Sequence, residues 1–225
     1  MDARMIAHDM RTPLSALSLS LQLVRMNRKV PEEFERALDM AERNAKALAE
    51  IVDTLLAASA SPDGKGGLLR SECSPLDLVT AAVDQIAPLA AHKGQSLGTG
   101  KLVALPTLKA DRTRLTRVLV NLLSNAVKFA PDGGQIEVDA KHRLNDGHSS
   151  VVFSVIDDGP GVQPEHIDRI FLEGVSFANG SKYSSGLGLA VSKEIVEAHG
   201  GRIWAETGRK KGATFSFSIP TDREQ

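Results

Sequence analysis

The sequence predicts a helical hairpin followed by an α+β sandwich, in which helices cover one face of a mixed sheet. Three observations support this prediction. All 19 glycines lie after residue 60. Apolar residues repeat at helical intervals before that point, whereas helix-like and strand-like runs alternate after it. The segment between the two patterns is rich in serine, glycine and proline, which is typical of a linker. We therefore assign the hairpin to 1–60, the linker to 61–67, the second domain to 68–220 and a short tail to 221–225.

The first 60 residues predict two helices joined near 27–31. Pro31 suits the first turn of the second helix, because an unpaired N–H is lost there at no cost. The apolar positions are Met5, Leu14, Leu17, Leu21 and Val24, then Phe34, Leu38, Ala41, Ala45, Leu48, Val52 and Leu55. Two helices cannot bury such stripes alone, so we expect a dimeric four-helix bundle. Packing of the hairpin on the second domain is the alternative.

The second domain alternates helices and strands. Helices are predicted at 75–91, 111–129 and 189–199, and strands at 135–142, 151–156, 202–206 and 213–219. The last two strands read as a hairpin, because a glycine- and lysine-rich turn separates them. Helices grouped between strands that are neighbours in sequence favour a sheet covered on one face.

Composition excludes several classes of protein. Apolar residues make up 42% and the net charge is −1, so the chain is globular and lacks the positive surplus of a nucleic-acid binder. A single cysteine, Cys73, excludes an internal disulfide framework. No apolar run is long enough to span a bilayer, so we expect no membrane contact here and a cytoplasmic location. Only seven residues precede His8, and we expect that a sensory or membrane portion has been cut away or was never attached.

His8 is the first candidate for chemistry. In a helix, Thr12 lies one turn beyond it on the same face. Asp9 can accept a proton from one ring nitrogen and leave the other with a nucleophilic lone pair. Pro13 bends the helix just past this group. A solvated surface histidine is the alternative, which the bend and the carboxylate disfavour.

A polar stripe and two glycine loops follow in the second domain. Asn121, Asn125 and Lys128 fall at i, i+4 and i+7, so they share one helical face. Two amide oxygens and an ammonium suit a magnesium-bound phosphate, although a solvated polar face is the alternative. Glycines in 157–161 allow close backbone approach to a flat ligand, and a carboxylate there can accept from an exocyclic amine. The loop 184–189 opens a helix, whose N-terminus favours a phosphate.

Taken in order, these segments resemble the catalytic core of a sensor histidine kinase of two-component signalling, over essentially the whole chain. The matching segments are the phosphoacceptor box at 8–14, the asparagine box at 111–129, the glycine boxes at 157–161 and 186–189, the phenylalanine box at 170–171 and the closing hairpin at 212–215. The resemblance implies a homodimer that binds ATP and Mg²⁺. It also implies, for the second domain, the ATP-binding fold shared with DNA gyrase, heat-shock chaperone and mismatch-repair ATPases.

The resemblance also implies a role for each site residue. His8 accepts the γ-phosphoryl group, and Asp9 polarises the imidazole of His8. Thr12 orients water when the kinase dephosphorylates its partner. That partner is a response-regulator receiver domain with an acceptor aspartate. Asn125 and Asn121 hold magnesium. The remaining expected nucleotide contacts are Lys128, Asp157, Gly159, Gly161, Lys182, Gly186, Leu187, Gly188 and Thr214.

The chain departs from the family pattern in the expected lid over ATP, roughly 172–185. Ser184 stands where the family usually has glycine, and Gly174 where it has a second phenylalanine. A catalytically degenerate kinase acting as a dimeric scaffold is therefore the alternative. An ATP hydrolase of the gyrase type is a third hypothesis, which Asn121 opposes, since an amide cannot act as a base.

The remaining histidines and the cysteine lack reactive neighbours in the sequence. We expect surface positions for these histidines and an inert thiol at Cys73. The histidines are His92, His142, His148, His166 and His199.

Overall fold

The computed structural model describes residues 67–100, 102–145, 148–167, 169–172, 187–207 and 212–221, together with nine isolated positions before residue 50. Those nine positions are all helical: Leu17, Leu21, Val24, Phe34, Leu38, Met40, Ala41, Ala45 and Leu48. All of them except Met40 belong to the predicted apolar stripes. The rest of the predicted hairpin, its turn and the linker lie outside the described residues. The chain divides into two compact units, of which the second begins at Leu68.

The described part of the second unit is a layer of helices on a mixed sheet. The helices are α1 (Pro75–His92), α2 (Arg112–Phe129) and α3 (Leu187–Ala198), with a short 3-10 turn at Pro164–His166. The strands are β1 (Ser71–Cys73), β2 (Ser96–Thr99), β3 (Leu108–Ala110), β4 (Gln135–Asn145), β5 (His148–Asp157), β6 (Arg202–Thr207) and β7 (Ala213–Pro220). The main sheet has the order β2-β4-β5-β7-β6, while β1 and β3 form a separate antiparallel pair.

This architecture confirms the predicted fold class. Strand β2 pairs parallel with β4, and the other neighbours in the main sheet are antiparallel, so the sheet is mixed. The predicted helices and the four longer strands begin and end within a few residues of their observed bounds. Strands β1, β2 and β3 were not predicted, because three or four residues cannot display a recognisable alternation.

The core lies between the helices and one face of the main sheet. Alternate residues of β5 and β7 point into it, and the rings of Phe153 and Phe217 stack with centroids 4.8 Å apart. Helix α2 buries an apolar face against α1, α3 and the main sheet. The buried residues are Leu115, Val118, Leu119, Leu122, Leu123, Ala126 and Val127. Burying each such leucine contributes about 1.5–3 kcal/mol, so the rotation of α2 about its axis is strongly fixed. No helix among the described residues is long and apolar enough to cross a membrane.

A buried polar cluster holds the N-terminus of α2. The Asp111 carboxylate accepts from the Arg114 amide at 3.1 Å and from the Leu69 amide at 3.2 Å. The Asp111 amide donates to Nε2 of His199 at 3.0 Å. Because Nδ1 of that ring lies 2.7 Å from the Ile195 carbonyl oxygen, which can only accept, Nδ1 carries the proton and the ring is neutral.

His199 therefore does not occupy the surface position expected for it. It is 4% exposed, and its two ring nitrogens connect α3 to the start of α2. Burial lowers the pKa of His199 below its ordinary value, and nearby Arg70 and Arg114 act in the same direction. Sequence periodicity missed it because the residue follows the last turn of its helix. Cys73 is buried, and this burial raises the pKa of its thiol, in line with the expected inertness.

We expect acidification below about pH 6.5 to destabilise the second domain through His199. The folded-state pKa is lowered, so the unfolded chain binds more protons between the two pKa values, and the free energy of unfolding decreases as the pH is lowered through that interval. One such group contributes at most about 1.4 kcal/mol per pH unit. His199→Gln retains a donor and an acceptor but does not titrate. In urea unfolding measured from about pH 8 to 5.5, the free energy of unfolding of this variant should therefore depend less on pH than that of the wild type. His92→Gln, at an exposed position, is the control, and equal slopes for both variants would contradict the assignment.

Candidate functional site

Helix α2 presents its polar stripe beside the start of α3. Asn121 donates through Nδ2 to Oγ of Ser192 at 3.0 Å, and that hydroxyl donates to the Gly188 carbonyl oxygen at 2.9 Å. A Cβ at Gly188 would lie 2.5 Å from Oδ1 of Asn121. A side chain at this position would displace the Asn121 amide from its place beside Ser192. The Asn121 oxygen therefore faces the first turn of α3.

Asn125 and Lys128 lie on the same stripe toward the end of α2. Asn125 is half-buried one turn after Asn121, as the predicted spacing requires. Lys128 is exposed in the last turn, with its ammonium 5.1 Å from the centroid of the Phe129 ring. The amide oxygens of Asn121 and Asn125 are hard donors of the kind that Mg²⁺ binds, so the residues present fit this ion.

Asp157 ends β5 as a buried carboxylate, 7% exposed. Its Oδ1 accepts from the Gly159 amide at 2.8 Å, and the amide of Ala213 on neighbouring β7 also donates to it. Burial raises the pKa of Asp157, and the two amide donors offset part of that rise. A buried carboxylate at the end of a strand, with remaining capacity to accept, suits a ligand that brings its own N–H donor.

Glycine backbone surrounds this carboxylate. A Cβ at Gly159 would lie 2.9 Å from the Phe129 carbonyl oxygen, so the end of α2 touches the loop directly. Gly161 has a φ of +79° and approaches the Gly212 carbonyl oxygen, where a Cβ would lie at 2.8 Å. Gly212 has a φ of +90°, and a Cβ there would overlap the Asp157 carbonyl oxygen. Three segments distant in sequence therefore meet backbone to backbone at Asp157.

Thr214 does not join this cluster. It pairs with Ile156 on β5 and Glu206 on β6, on the sheet face away from the helices. The residue that β7 places beside Asp157 is Ala213, which is 4% exposed. The period-two alternation of a strand explains the difference, because a shift of one residue moves a side chain to the opposite face.

Several predicted site residues lie outside the described residues: His8, Asp9, Thr12, Lys182 and Gly186. The same holds for the lid residues Gly174 and Ser184. Leu187 begins α3, and its side chain is not among those described. The roles given to these residues remain predictions.

The structure adds Ser192 and Ala213 to the site. Neither has a side chain that suggests chemistry by itself. The spacing of Ser192, four residues after Gly188, is the one signal in the sequence that could have identified it, because it places the hydroxyl over the first turn of α3.

Family models match both parts of the chain. Residues 110–223 match the model described as histidine kinase-, DNA gyrase B- and HSP90-like ATPase. Residues 3–64 match the model of the His Kinase A (phospho-acceptor) domain. The first match covers the described site, and the second contains His8.

Relatives and solved structures are similar along most of the chain. The adaptive-response sensory kinase SasA of Prochlorococcus marinus is 34% identical over 223 residues, 96% of this chain and 56% of that protein. Its counterpart in Synechococcus sp. strain CC9902 is 35% identical over 231 residues, 96% of this chain and 55% of that protein. The chain thus spans little more than half the length of these relatives.

Among solved structures, full-length ShkA in complex with AMPPNP aligns with a TM-score of 0.71 and 27% identity, covering 98% of this chain and 46% of ShkA. The nucleotide-free catalytic domain of histidine kinase ThkA aligns with a TM-score of 0.56 and 27% identity, covering 68% of this chain and 95% of that domain.

Gly212→Ala is expected to destabilise the second domain far more than Gly200→Ala. Both glycines have positive φ, which costs an alanine about 1–2 kcal/mol. A Cβ at Gly200 meets only a Pro220 carbon at 3.8 Å, whereas one at Gly212 overlaps the Asp157 backbone. Urea unfolding should give a loss of about 3 kcal/mol or more for Gly212→Ala. Equal losses for the two variants would contradict the close approach of β7 to Asp157.

Proposed function

The chain belongs to the sensor histidine kinase family, and from this membership we propose that it is an ATP-dependent protein kinase that phosphorylates its own His8. It then passes the phosphoryl group to an aspartate of a response-regulator receiver domain. The observation that carries the proposal is the buried Asp157 carboxylate, enclosed by glycine backbone and adjoining the polar stripe of α2. We also propose that this part of the chain acts in the cytoplasm, where ATP is supplied.

Asp157 gives the site its preference for adenine. Its carboxylate accepts from the exocyclic amine of the base, a donor that guanine lacks at the corresponding position. The backbones of Gly159, Gly161 and Gly212 meet around this carboxylate, so the base contacts main chain where larger residues would present side chains. Burial strengthens the hydrogen bond because little water competes for the carboxylate.

The end of α2 and the start of α3 receive the phosphates. Asn125 and Asn121 offer amide oxygens to Mg²⁺, which when bound neutralises phosphate charge. The Asn121 nitrogen already donates to Ser192, so its oxygen is the atom left for the ion. Lys128 supplies a positive charge, and Gly188 lets the first turn of α3 approach. Lys182 is the proposed phosphate contact from the lid.

His8 is the nucleophile in this proposal. One imidazole nitrogen attacks the γ-phosphorus, forming an N–P bond as the bond between that phosphorus and the bridging oxygen of the departing ADP breaks. Asp9 accepts the hydrogen bond of the other ring nitrogen and stabilises the charge that develops. Thr12 positions the water that hydrolyses the phosphoryl group of the response regulator when the kinase acts as a phosphatase. The linker at 61–67 lets the two domains reorient between these steps.

Transfer to His8 is favoured over free hydrolysis by the chemistry of Asn121. A hydrolase needs a base at this end of the site to activate water, and an amide cannot remove a proton. The Asn121 amide is moreover engaged with Ser192.

Exposed apolar residues on the first unit support a homodimer. The side chains of Leu17, Val24, Phe34 and Leu48 are between 44% and 57% exposed in the single chain. All four belong to helical stripes. A second copy of the hairpin would cover them in a four-helix bundle.

Incubation with γ-labelled ATP and magnesium should label the protein on His8. The label should be acid-labile, because the phosphoramidate bond of a phosphohistidine hydrolyses in acid. His8→Ala and Asn125→Ala should each abolish labelling, whereas His142→Ala, at an exposed histidine, should retain it. A wild type that binds ATP and stays unlabelled would contradict the kinase proposal and support the scaffold. Label that persists in His8→Ala would place the acceptor elsewhere.

Asp157→Asn should weaken ATP binding at least tenfold and reduce discrimination against GTP. The substitution replaces a charged acceptor by a neutral amide, and a charge-assisted hydrogen bond contributes about 1.5–3 kcal/mol. Calorimetric titration with ATP and with GTP measures both affinities. Asp158→Asn alters the neighbouring, exposed carboxylate and is the matched control. An unchanged ratio of ATP to GTP affinity in Asp157→Asn would exclude Asp157 as the adenine contact.

A further inference from the structure

Two side chains from the turn between α1 and β2 cover the carboxyl end of α2. Gln95 is 6% exposed, and the two N–H groups of its Nε2 are shared among the carbonyl oxygens of Val127, Ala130 and Pro131, which lie at 3.2, 3.0 and 3.1 Å. The Lys93 ammonium donates to the carbonyl oxygens of Val127 and Lys128 at 2.8 and 3.4 Å. Carbonyls in the last turn of a helix have no partner within the helix, so these two residues supply what α2 lacks. We call Lys93 and Gln95 the clamp.

The clamp uses the donors of Gln95 and leaves its acceptor unsatisfied. Oε1 of Gln95 is buried without a hydrogen-bond partner among the described residues. Such an atom costs about 1–3 kcal/mol. An apolar side chain of the same shape would avoid that cost, so the amide donors do something that packing alone would not.

The clamp is connected to the nucleotide site through backbone contacts. The turn that follows α2 is fixed by the Gly133 amide, which donates to the Lys93 carbonyl oxygen at 3.0 Å. The Phe129 carbonyl, within the clamped stretch, packs against Gly159, whose amide donates to Asp157. Clamping the end of α2 therefore sets its position relative to the adenine carboxylate.

The charge of Lys93 has a second consequence. The C-terminus of a helix carries about half a negative charge, which repels phosphate. Asn125 and Lys128 lie in the last turns of α2, so a triphosphate bound by them approaches this unfavourable end. The Lys93 ammonium, held on the Val127 and Lys128 carbonyls, offsets the negative pole.

We propose that Gln95 and Lys93 are positioning residues for ATP. They hold the phosphate-binding end of α2 at a fixed distance from the Asp157 loop, and Lys93 reduces the repulsion between that helix end and the phosphates. The proposal rests on the proposed function, because it assigns the phosphates to α2 and the base to Asp157. Neither clamp residue touches the reacting atoms.

The test compares the two ends of α2. Gln95→Met keeps the shape and removes the donors, while Asp111→Ala removes the N-cap about 25 Å away along the helix. Both should lower the melting temperature. Calorimetric titration with AMPPNP should give a dissociation constant about tenfold higher for Gln95→Met and within twofold of wild type for Asp111→Ala. In autophosphorylation assays, Gln95→Met should raise KM for ATP by a similar factor, with kcat within twofold.

Lys93 gives an independent arm of the same test. Lys93→Met should weaken the binding of AMPPNP more than the binding of adenosine, because the negative end of α2 repels the phosphates and adenosine has none. Lys93→Arg keeps the donors and the charge, so it should bind both ligands like the wild type. If Gln95→Met does not fold, this pair decides the proposal. The proposal is overturned if Gln95→Met and Asp111→Ala change the dissociation constant for AMPPNP by the same factor. It is also overturned if Lys93→Met and Lys93→Arg change that constant by the same factor.

Failure of the clamp and failure of the kinase proposal give different results. A wild type that binds AMPPNP but is never phosphorylated contradicts the kinase proposal and leaves the binding comparison valid. A wild type that binds no nucleotide overturns both.

Discussion

The packing of α2 against the main sheet is the constraint on which the site depends. One face of this helix is filled by leucine and valine side chains that are almost completely buried, and rotation about the helix axis would expose them. The opposite stripe, with Asn121, Asn125 and Lys128, is therefore held in a single orientation. Burial of the apolar face therefore fixes the positions of these polar side chains before any ligand binds.

The second constraint is the contact of backbone with backbone at Asp157. The end of α2, the loop after β5 and the start of β7 approach so closely that only glycine fits at Gly159, Gly161 and Gly212. This approach also keeps Asp157 buried while two main-chain amides donate to its carboxylate. Burial raises the pKa of Asp157, and the two amide donors act against that rise.

The sequence predicted those features of the fold that repeat at short range. The stripe on α2 and the alternation of the longer strands are encoded in neighbouring residues, so periodicity found them. The sequence predicted less accurately the positions of residues whose contacts are distant in the chain. His199 is buried, and its partner Asp111, whose amide donates to it, lies 88 positions away. Thr214 was assigned by resemblance to a motif, and strand register puts Ala213 beside Asp157 in its place. Gln95 has no motif around it, and the carbonyl oxygens that it contacts lie more than 30 positions later.

The site combines two helix ends of opposite polarity. The N-terminus of a helix favours phosphate and its C-terminus repels it, and the side chains proposed to bind magnesium and phosphate lie toward the C-terminus of α2. A phosphate chain between them is stable only if the second pole is reduced. The amide and ammonium donors placed on the carbonyls at the end of α2 reduce it, and they come from the turn at Lys93–Gln95. If α2 binds a triphosphate as proposed, residues outside the recognised motifs contribute to the binding, and the turn between α1 and β2 is where the structure places such donors.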